Sequence, residues 1–405
     1  MVNLSDYSGI SPKSDLQLIY RLADKLSSKQ FLHVNSTKEG GGVAEILNRM
    51  TPLLSRLGIV VRWEVIQGDQ RFFTITKKIH NSLQGLSEEF TNDMWKYHEE
   101  INDRNAKKLD LNADVVFIHD PQPVPLIKFR DKGLWIWRCH IDVSNPVKEV
   151  WDRISAYAGN YNAAIFSVSK FAKKMPLDEF IITPTIDPLS EKNNDLPADQ
   201  INEVAGRFKI PLDKPILLQI SRFDRFKDPN GVIRAYRMVK KYNDCRLVLA
   251  GSSATDDPEG EAVIKEVMEF ADGDPDIHIL LLPAFSDKDI NALQRMATVV
   301  LQKSLKEGFG LTITEAMWKG KPVIGGNVGG IPTQIINGVT GFLVNSEEGA
   351  AFRIRQILNN PDMANKMGEN ARQYVRNHFL ITRQIRDYLF VWYAILNKSK
   401  RVMEL

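Results

Sequence analysis

Two glutamates, Glu307 and Glu315, stand with seven residues between them in the run Glu307-Gly308-Phe309-Gly310-Leu311-Thr312-Ile313-Thr314-Glu315-Ala316-Met317. The first is expected in a loop after a strand, and the second two turns into a helix. The intervening glycines let backbone N–H groups approach a ligand at the helix start, where the dipole and unpaired donors favour a phosphate. A carboxylate at the loop can hold sugar hydroxyls, and one inside the helix can accept the paired hydroxyls of a ribose. Taken singly, either glutamate would suit a capping loop with a solvated acid; the complete pattern favours a ligand site. A second run, Ser221-Arg222-Phe223-Asp224-Arg225-Phe226-Lys227-Asp228, follows the first strand of the second half of the chain. A departing nucleoside diphosphate gathers negative charge, which fixed cations must stabilise when no metal does. Arg222 can fork onto two phosphate oxygens, and Lys227 supplies a point charge. Arg225, between them, reads as a surface residue.

Weaker signals surround these. Gly40-Gly41-Gly42 precedes an apolar helical stripe and could bring backbone N–H groups to phosphate or sugar, although taken alone it reads more readily as a flexible turn. Asp272-Gly273-Asp274-Pro275-Asp276 has the D-x-D spacing that can hold a divalent ion. It precedes a strand, at the wrong end of a sheet for a ligand, and reads as a solvated turn. Asp256-Asp257-Pro258-Glu259 reads as an acidic helix start, and no His/Cys spacing suits zinc.

The elements that must position these groups alternate. Leu16 to Leu26 gives a helical stripe, and apolar runs at 31–34, 60–66, 115–120, 135–140 and 164–168 read as strands. A second series, at 216–220, 246–251, 277–281, 299–302 and 322–325, follows a proline- and acid-rich stretch at 184–204. Strands alternating with helices imply parallel sheets covered on both faces. The expected organisation is therefore α/β, with Rossmann-like domains at 1–203 and 204–380 facing each other across a cleft. A terminal helical segment, 381–405, should pack back on the first domain. Its stripe of Ile385, Leu389, Trp392, Tyr393 and Leu396, followed by Lys398, Lys400 and Arg401, could instead form a membrane-surface helix, but Arg383, Arg386 and Asp387 interrupt its front.

The 405 residues suit two domains, and 43% hydrophobic with 25% charged residues excludes disordered and fibrous classes. A formal charge of +3 argues against a nucleic-acid binder. Two distant cysteines, Cys139 and Cys245, suggest a reducing compartment and hence a cytoplasmic protein. The beginning of the chain lacks the apolar core of a signal peptide, and no run approaches the ~20 apolar residues of a membrane span.

Arg222 with Lys227, and Glu307 with Glu315 in EGFGLTITEAM, resemble the signature of the large family of retaining glycosyltransferases with two Rossmann-like domains, the GT-B fold. More narrowly, HVNSTKEGGGVAEILNRM, HDPQPVPLI, WIWRCHID, TIDPLSEKN, DDPEG, NALQR and GVTGFLV are similar to trehalose glycosyltransferring synthases and trehalose phosphorylases. The resemblance implies a metal-independent enzyme without cofactor that makes trehalose from a nucleoside diphosphate glucose, UDP- or ADP-glucose, and glucose. It implies that Arg222 and Lys227 hold the diphosphate, Glu315 the ribose, and Glu307 the transferred glucose. Gly308, Phe309, Gly310 and Leu311 would line the donor sugar, and Gly41 and Gly42 would approach the donor. His140 would lie over the reacting centre, a role that rests on the resemblance, since a lone histidine is usually structural. Asn81, Gln84, Asp120 and Gln122 would lie near the acceptor. Phosphorolysis of trehalose, or transfer to another small or lipid acceptor, is the competing reaction. The implied partners are a nucleotide sugar and a small sugar, with no nucleic acid and no membrane; the oligomeric state stays open, a homodimer included.

Overall fold

The computed structural model describes residues 2–38, 41–251, 258–283 and 285–398. The chain divides into two units, Met1–Thr185 with Ile381–Leu405, and Ile186–Leu380.

The first unit holds β1 (Gln30–Asn35), β2 (Val60–Val65), β3 (Val115–His119), β4 (Leu134–Cys139), β5 (Ala163–Phe166) and β6 (Asp178–Ile181) in the order β2-β1-β3-β4-β5-β6, every pair parallel. β3, β4 and β5 are buried almost throughout, as continuous Val/Ile/Phe/Trp runs require when helices cover both faces. β6, Asp-Glu-Phe-Ile, is a half-exposed edge strand. Its two acids hide it from any search for apolar runs.

The second unit holds β7 (Ile216–Ile220), β8 (Arg246–Gly251), β9 (Ile277–Leu281), β10 (Val299–Gln302), β11 (Val323–Gly326) and β12 (Phe342–Val344) in the order β12-β11-β10-β7-β8-β9, again parallel. β12, three residues at the edge, is likewise absent from the expected strands.

Both orders reverse direction once. In the first unit the chain moves from β1 outward to β2 and then returns to the other side of β1 with β3. In the second it runs β7, β8, β9 one way and resumes with β10 on the far side of β7. In open parallel sheets the helices diverge at such a switch point and leave a crevice at the carboxyl ends of the two strands. Two such crevices follow, one beyond β1 and β3, the other beyond β7 and β10.

The division between units falls at 185/186 rather than at 203/204. The stretch that reads as a solvated linker spends its polar groups inside the second unit. Asn193 donates through Nδ2 to Asp187 O (3.1 Å), Asn291 donates to the carbonyls of Glu191 and Asn194 (2.8 Å each), and 198–207 is already a helix. The helix Ile381–Leu396 packs within the first unit. Trp392 stacks on Phe31 with ring centroids 3.9 Å apart, Thr382 Oγ1 donates to Ser11 Oγ (2.8 Å), and Arg386 pairs with Asp15 (2.7 Å). Lys398 pairs with Asp178, while Lys400 and Arg401 lie outside the described residues. No helix among the described residues is long and apolar enough to cross a membrane.

Candidate active site

The switch point of the second unit receives both cation- and carboxylate-bearing runs. The loop after β7 carries Arg222 and Lys227; the loop after β10 carries Glu307. Asp224 caps the turn between them by accepting the Lys227 N–H (3.1 Å), and Gln219, near the end of β7, donates to Lys227 O (2.7 Å). Leu305 N donates to Phe226 O (2.7 Å), joining the two loops. Lys227 Nζ then lies 2.7 Å from Glu307 Oε2, with side-chain exposures of 15% and 10%. The same oxygen accepts Gln302 Nε2 (3.2 Å) and Ser304 Oγ (3.1 Å). Three donors thus converge on Oε2. Oε1 has no protein donor among the described residues, so it can accept a ligand hydroxyl. Arg222 is 57% exposed, with Asp224 at 3.6 Å as its nearest carboxylate. Arg225 turns away to Glu266 (2.6 Å), as a surface residue should.

The loop from Glu307 to Gly310 is shaped by glycines on both sides. Gly310 sits at φ 84° and begins the helix Leu311–Trp318 without a side-chain cap. The Ile313 N–H donates to Gly310 O (3.0 Å), and the first N–H groups of that helix, those of Leu311 and Thr312, remain for an anion. Across from it, Gly329 has φ 55°, and a Cβ there would lie 1.6 Å from Glu307 O; a Cβ on Gly330 would lie 2.7 Å from Gly308 O. Gly330 N donates to Gly308 O (3.0 Å). These two glycines escape the sequence reading, although the pair Gly329-Gly330 after an expected strand is a signal of close backbone approach. Phe309 is buried against Phe379 (6.0 Å) and Leu311 opens the helix.

Glu315 lies just over one turn into that helix rather than two, because the helix begins only at Leu311. It is 5% exposed; Oε2 accepts Gln294 Nε2 (2.9 Å), and Lys192 approaches Oε1 at 3.9 Å. Lys319, on the next turn, is buried with Nζ 2.9 Å from Asn193 Oδ1, and burial pulls its pKa down to about 7.

In the first unit the loops beyond β1 and β3 carry the remaining residues. Asn35, ending β1, accepts the Trp63 indole N–H (2.8 Å) and donates to Thr37 O (2.6 Å), fixing the chain's exit towards the glycines. Gly41 and Gly42 open the helix Gly41–Arg56 themselves rather than forming a loop before it; Gly40 lies outside the described residues. Beyond β3, Asp120 adopts φ 64°, and its Oδ1 accepts the backbone N–H of His140 (2.7 Å). Burial raises the Asp120 carboxyl to about 6, against the opposing pull of that N–H and of Arg138. His140 Nε2 contacts His119 Nδ1 (3.1 Å), and His119 Nε2 contacts His33 Nδ1 (3.0 Å). Burial holds all three imidazoles well below their ordinary range. His33 and His119 are not singled out by the sequence motifs; their place near the carboxyl ends of β1 and β3 is the signal that marks them.

The other acceptor-side candidates are less directly joined. Gln122 gives its backbone carbonyl to His98 Nε2 (2.9 Å) and Asn102 Nδ2 (3.0 Å), while its side-chain oxygen is buried without a partner. Asn81 donates to Glu88 (3.0 Å), and Gln84 lies against His80. No hydrogen bond described links these two side chains to Asp120 or His140. Val147 N, in the loop after β4, does donate to Ser82 O (2.9 Å), which brings the end of their helix to the loop that follows His140.

The acidic turn at 272–276 lies before β9, as expected, but it is not merely solvated. Asp276 pairs with Lys240 (2.7 Å), Lys214 (3.0 Å) and Arg246 (3.2 Å) and is an ion-pair hub. The Lys240 hydrogen bond, with Lys214 beside it, pulls its carboxyl down to about 2 against some burial. Among the described residues no three His, Cys, Asp or Glu side chains cluster for a metal. The Asp256-Asp257 helix start lies outside the described residues. Asp276→Asn should lower the stability of the second unit by roughly 1–3 kcal/mol at neutral pH, the range for losing charge-assisted hydrogen bonds. A carboxylate depressed on folding contributes fully above its unfolded pKa of about 4, and the contribution fades as pH falls through about 2. Urea midpoints of wild type and variant should therefore differ at pH 7 and converge in acid. Equal midpoints at pH 7 would remove the hub.

Comparison with known proteins identifies the family and the fold. A family model described as trehalose synthase, N-terminal domain, matches residues 33–173, and one described as glycosyl transferases group 1 matches residues 200–374. A trehalose synthase of Thermococcus litoralis is 44% identical over 393 residues, covering 95% of each chain. A trehalose phosphorylase of Pleurotus pulmonarius is 28% identical over 92% of this chain and 58% of the phosphorylase. An α,α-trehalose-phosphate synthase (UDP-forming) of Burkholderia vietnamiensis shares the fold with a TM-score of 0.72 at 13% identity, over 93% of this chain and 99% of that one. The two parallel-sheet domains are those of the GT-B fold.

Proposed function

Because the chain belongs to the trehalose synthase family of glycosyltransferases, we propose that it transfers glucose, with retention at the anomeric carbon, from UDP- or ADP-glucose to glucose, giving trehalose. The observation that carries this reading is the pair Arg222 and Lys227 beside Glu307 and an uncapped helix start, all at one switch point. Such a set suits a diphosphate, and rearranging a neutral disaccharide such as maltose would release no diphosphate for it to hold. Arg222 and Lys227 take the charge that develops on the leaving diphosphate. Lys227 can serve both Glu307 and a phosphate, since an ammonium has three donors. Glu307 Oε1 accepts a hydroxyl of the transferred glucose. Backbone groups of Gly308, Phe309, Gly310 and Leu311 line that sugar, and Gly41 and Gly42 offer N–H groups to the donor. Glu315 takes the ribose through Oε1.

To the acceptor we assign Asp120, His140, Asn81, Gln84 and Gln122, all in the first unit. Retention by two carboxylates would need a pair about 5–5.5 Å apart. Here the carboxylate at the switch point is already committed to a cation. We take from the resemblance to retaining glycosyltransferases that the acceptor hydroxyl attacks from the face that the diphosphate leaves, and that a leaving phosphate oxygen takes its proton. The reaction needs no metal or cofactor, because the two cations occupy the role a divalent ion would have. Buried, unpaired Cys139 and Cys245 accord with a cytoplasmic setting.

The test is product analysis with UDP- and ADP-glucose plus glucose, with maltose alone, and with trehalose plus inorganic phosphate. Trehalose and nucleoside diphosphate should form in equal amounts in the first arm. Trehalose from maltose alone, or a phosphate requirement for trehalose breakdown, would overturn the reading. Activity should survive thorough chelation. Its complete loss in EDTA, restored by magnesium or manganese, would contradict the role given to Arg222 and Lys227.

A further inference from the structure

Three histidines line up on one face of the first sheet, and strand parity puts them there. His33 is in register with Phe117, so His119, two residues on, shares its face; His119 is in register with Arg138, so His140 shares it too. The line runs obliquely across β1, β3 and β4 towards their carboxyl ends. His33 and His119 are fully buried, with exposures of 0% and 2%, and His140 is half-buried.

The contacts use opposite nitrogens of the middle ring. His33 Nδ1 meets His119 Nε2 at 3.0 Å, and His119 Nδ1 meets His140 Nε2 at 3.1 Å. The inner end is closed: His33 Nε2 is buried without a partner, among the rings of Phe117, Tyr388 and Trp392. The outer end is open. His140 Nδ1 has no protein partner among the described residues and is not among the buried unpartnered atoms, so it remains accessible to a ligand.

Proton counting now restricts the line. Each neutral imidazole carries one N–H, and each contact needs one donor and one acceptor. Only two arrangements satisfy both contacts. In one, every ring is protonated at Nδ1, His33 Nε2 is a bare lone pair, and His140 presents Nδ1–H. In the other, every ring is protonated at Nε2, a buried N–H of His33 goes unanswered, and His140 presents a lone pair. Buried N–H groups without an acceptor are rarer than unsatisfied acceptors, and no oxygen, the hydroxyl of Tyr388 included, is in hydrogen-bond contact with His33 Nε2. The first arrangement is therefore favoured. Because the inner end has no exit, the line cannot carry a proton to solvent; it fixes a tautomer.

We propose that His119, with His33 behind it, is a positioning residue that locks His140 as the Nδ1–H tautomer, so that His140 meets the reacting sugars as a neutral hydrogen-bond donor and not as a base. This deepens the proposed transfer, and its functional part rests on that reading. It fits a reaction in which a leaving phosphate oxygen, rather than a side chain, accepts the proton.

The test is spectroscopic first. Enzyme labelled with 15N in its histidine rings, without substrate, is studied by long-range proton–nitrogen correlation at neutral pH; His140→Gln assigns the His140 signals. The expected result is a proton on Nδ1 and a bare Nε2 for His140. A His140 protonated at Nε2, or at both nitrogens, overturns the proposal. His119→Phe removes the donor to His140 Nε2. It should mix the His140 tautomers and lower kcat/KM about tenfold, roughly one hydrogen bond, while the Kd for the nucleoside diphosphate stays unchanged. His119→Asn, whose amide can donate, should restore both readouts. A folded His119→Phe enzyme with the wild-type tautomer and wild-type kcat/KM overturns the assignment. Should that variant fail to fold, the wild-type spectrum and His119→Asn still decide. Absence of any transfer from sugar nucleotides by the wild type would sink the proposed reaction instead, and the spectrum would still decide the tautomer of His140 independently.

Discussion

Arg222→Ala should lower kcat by roughly 10²–10³, the loss of about 2.7–4 kcal/mol seen when one preorganised transition-state donor is removed, with little change in melting temperature. The two halves of that expectation have separate causes. The guanidinium is 57% exposed and has only Asp224, at 3.6 Å, as a nearby carboxylate, so the folded state gains little from it. In the proposed reaction, its placement in the same loop after β7 as Lys227 would give it the donor diphosphate to hold. Lys227→Ala should lose turnover comparably but also lose stability. Glu307 would keep only Gln302 and Ser304 around a carboxylate that is 10% exposed. Arg225→Ala is the control, since Arg225 pairs with Glu266 on the surface and should leave turnover near wild type. Steady-state kinetics with thermal melts on the three variants separate these effects. Near-normal kcat in both Arg222→Ala and Lys227→Ala would end the diphosphate assignment.

Gly329→Ala should reduce kcat/KM by ~10² or more, although residue 329 carries no functional group. Its φ of 55° disfavours any side chain, and the new Cβ would lie 1.6 Å from Glu307 O. Backbone cannot give way cheaply there. The loop from Glu307 to Gly310 must move, carrying with it the carboxylate and the start of the helix Leu311–Trp318. A misplacement of ~1 Å at a positioning group can cost about 10²-fold. Gly338→Ala separates collision from strain: Gly338 has φ 81° but nothing within 4 Å of a Cβ. Both variants should lose ~1–2 kcal/mol of stability from the left-handed backbone, and only Gly329→Ala should lose most of its activity. Equal kinetics in the two variants would mean that the loop's position does not matter to the reaction.

What can be read from the chain alone follows from how parallel sheets are built. β3, β4, β7, β8 and β10 are buried on both faces, so each is a continuous apolar run and each is legible. The alternation of those runs with helices determines the α/β class, and Glu307 to Glu315 with Arg222 and Lys227 point to the proposed chemistry, because ligand loops need particular residue types at fixed local spacing. β6 and β12 are not legible: β6 is a half-exposed edge strand that carries two acids, and β12, although largely buried, is only three residues long, too short to show a pattern. The stretch at 184–204 reads as a linker because its side chains are polar, and nothing local says that Asn193 and Asn194 face partners about a hundred residues away in sequence. Contacts of that kind belong to the tertiary structure alone. Lys227 meets Glu307 only because β7 and β10 are neighbours, and His33, His119 and His140 meet only because three parallel strands lie side by side in one register. Strand order and register are set by the packing of whole helices and sheets, a sum over many distant contacts, whereas residue type and local spacing are carried by the sequence itself.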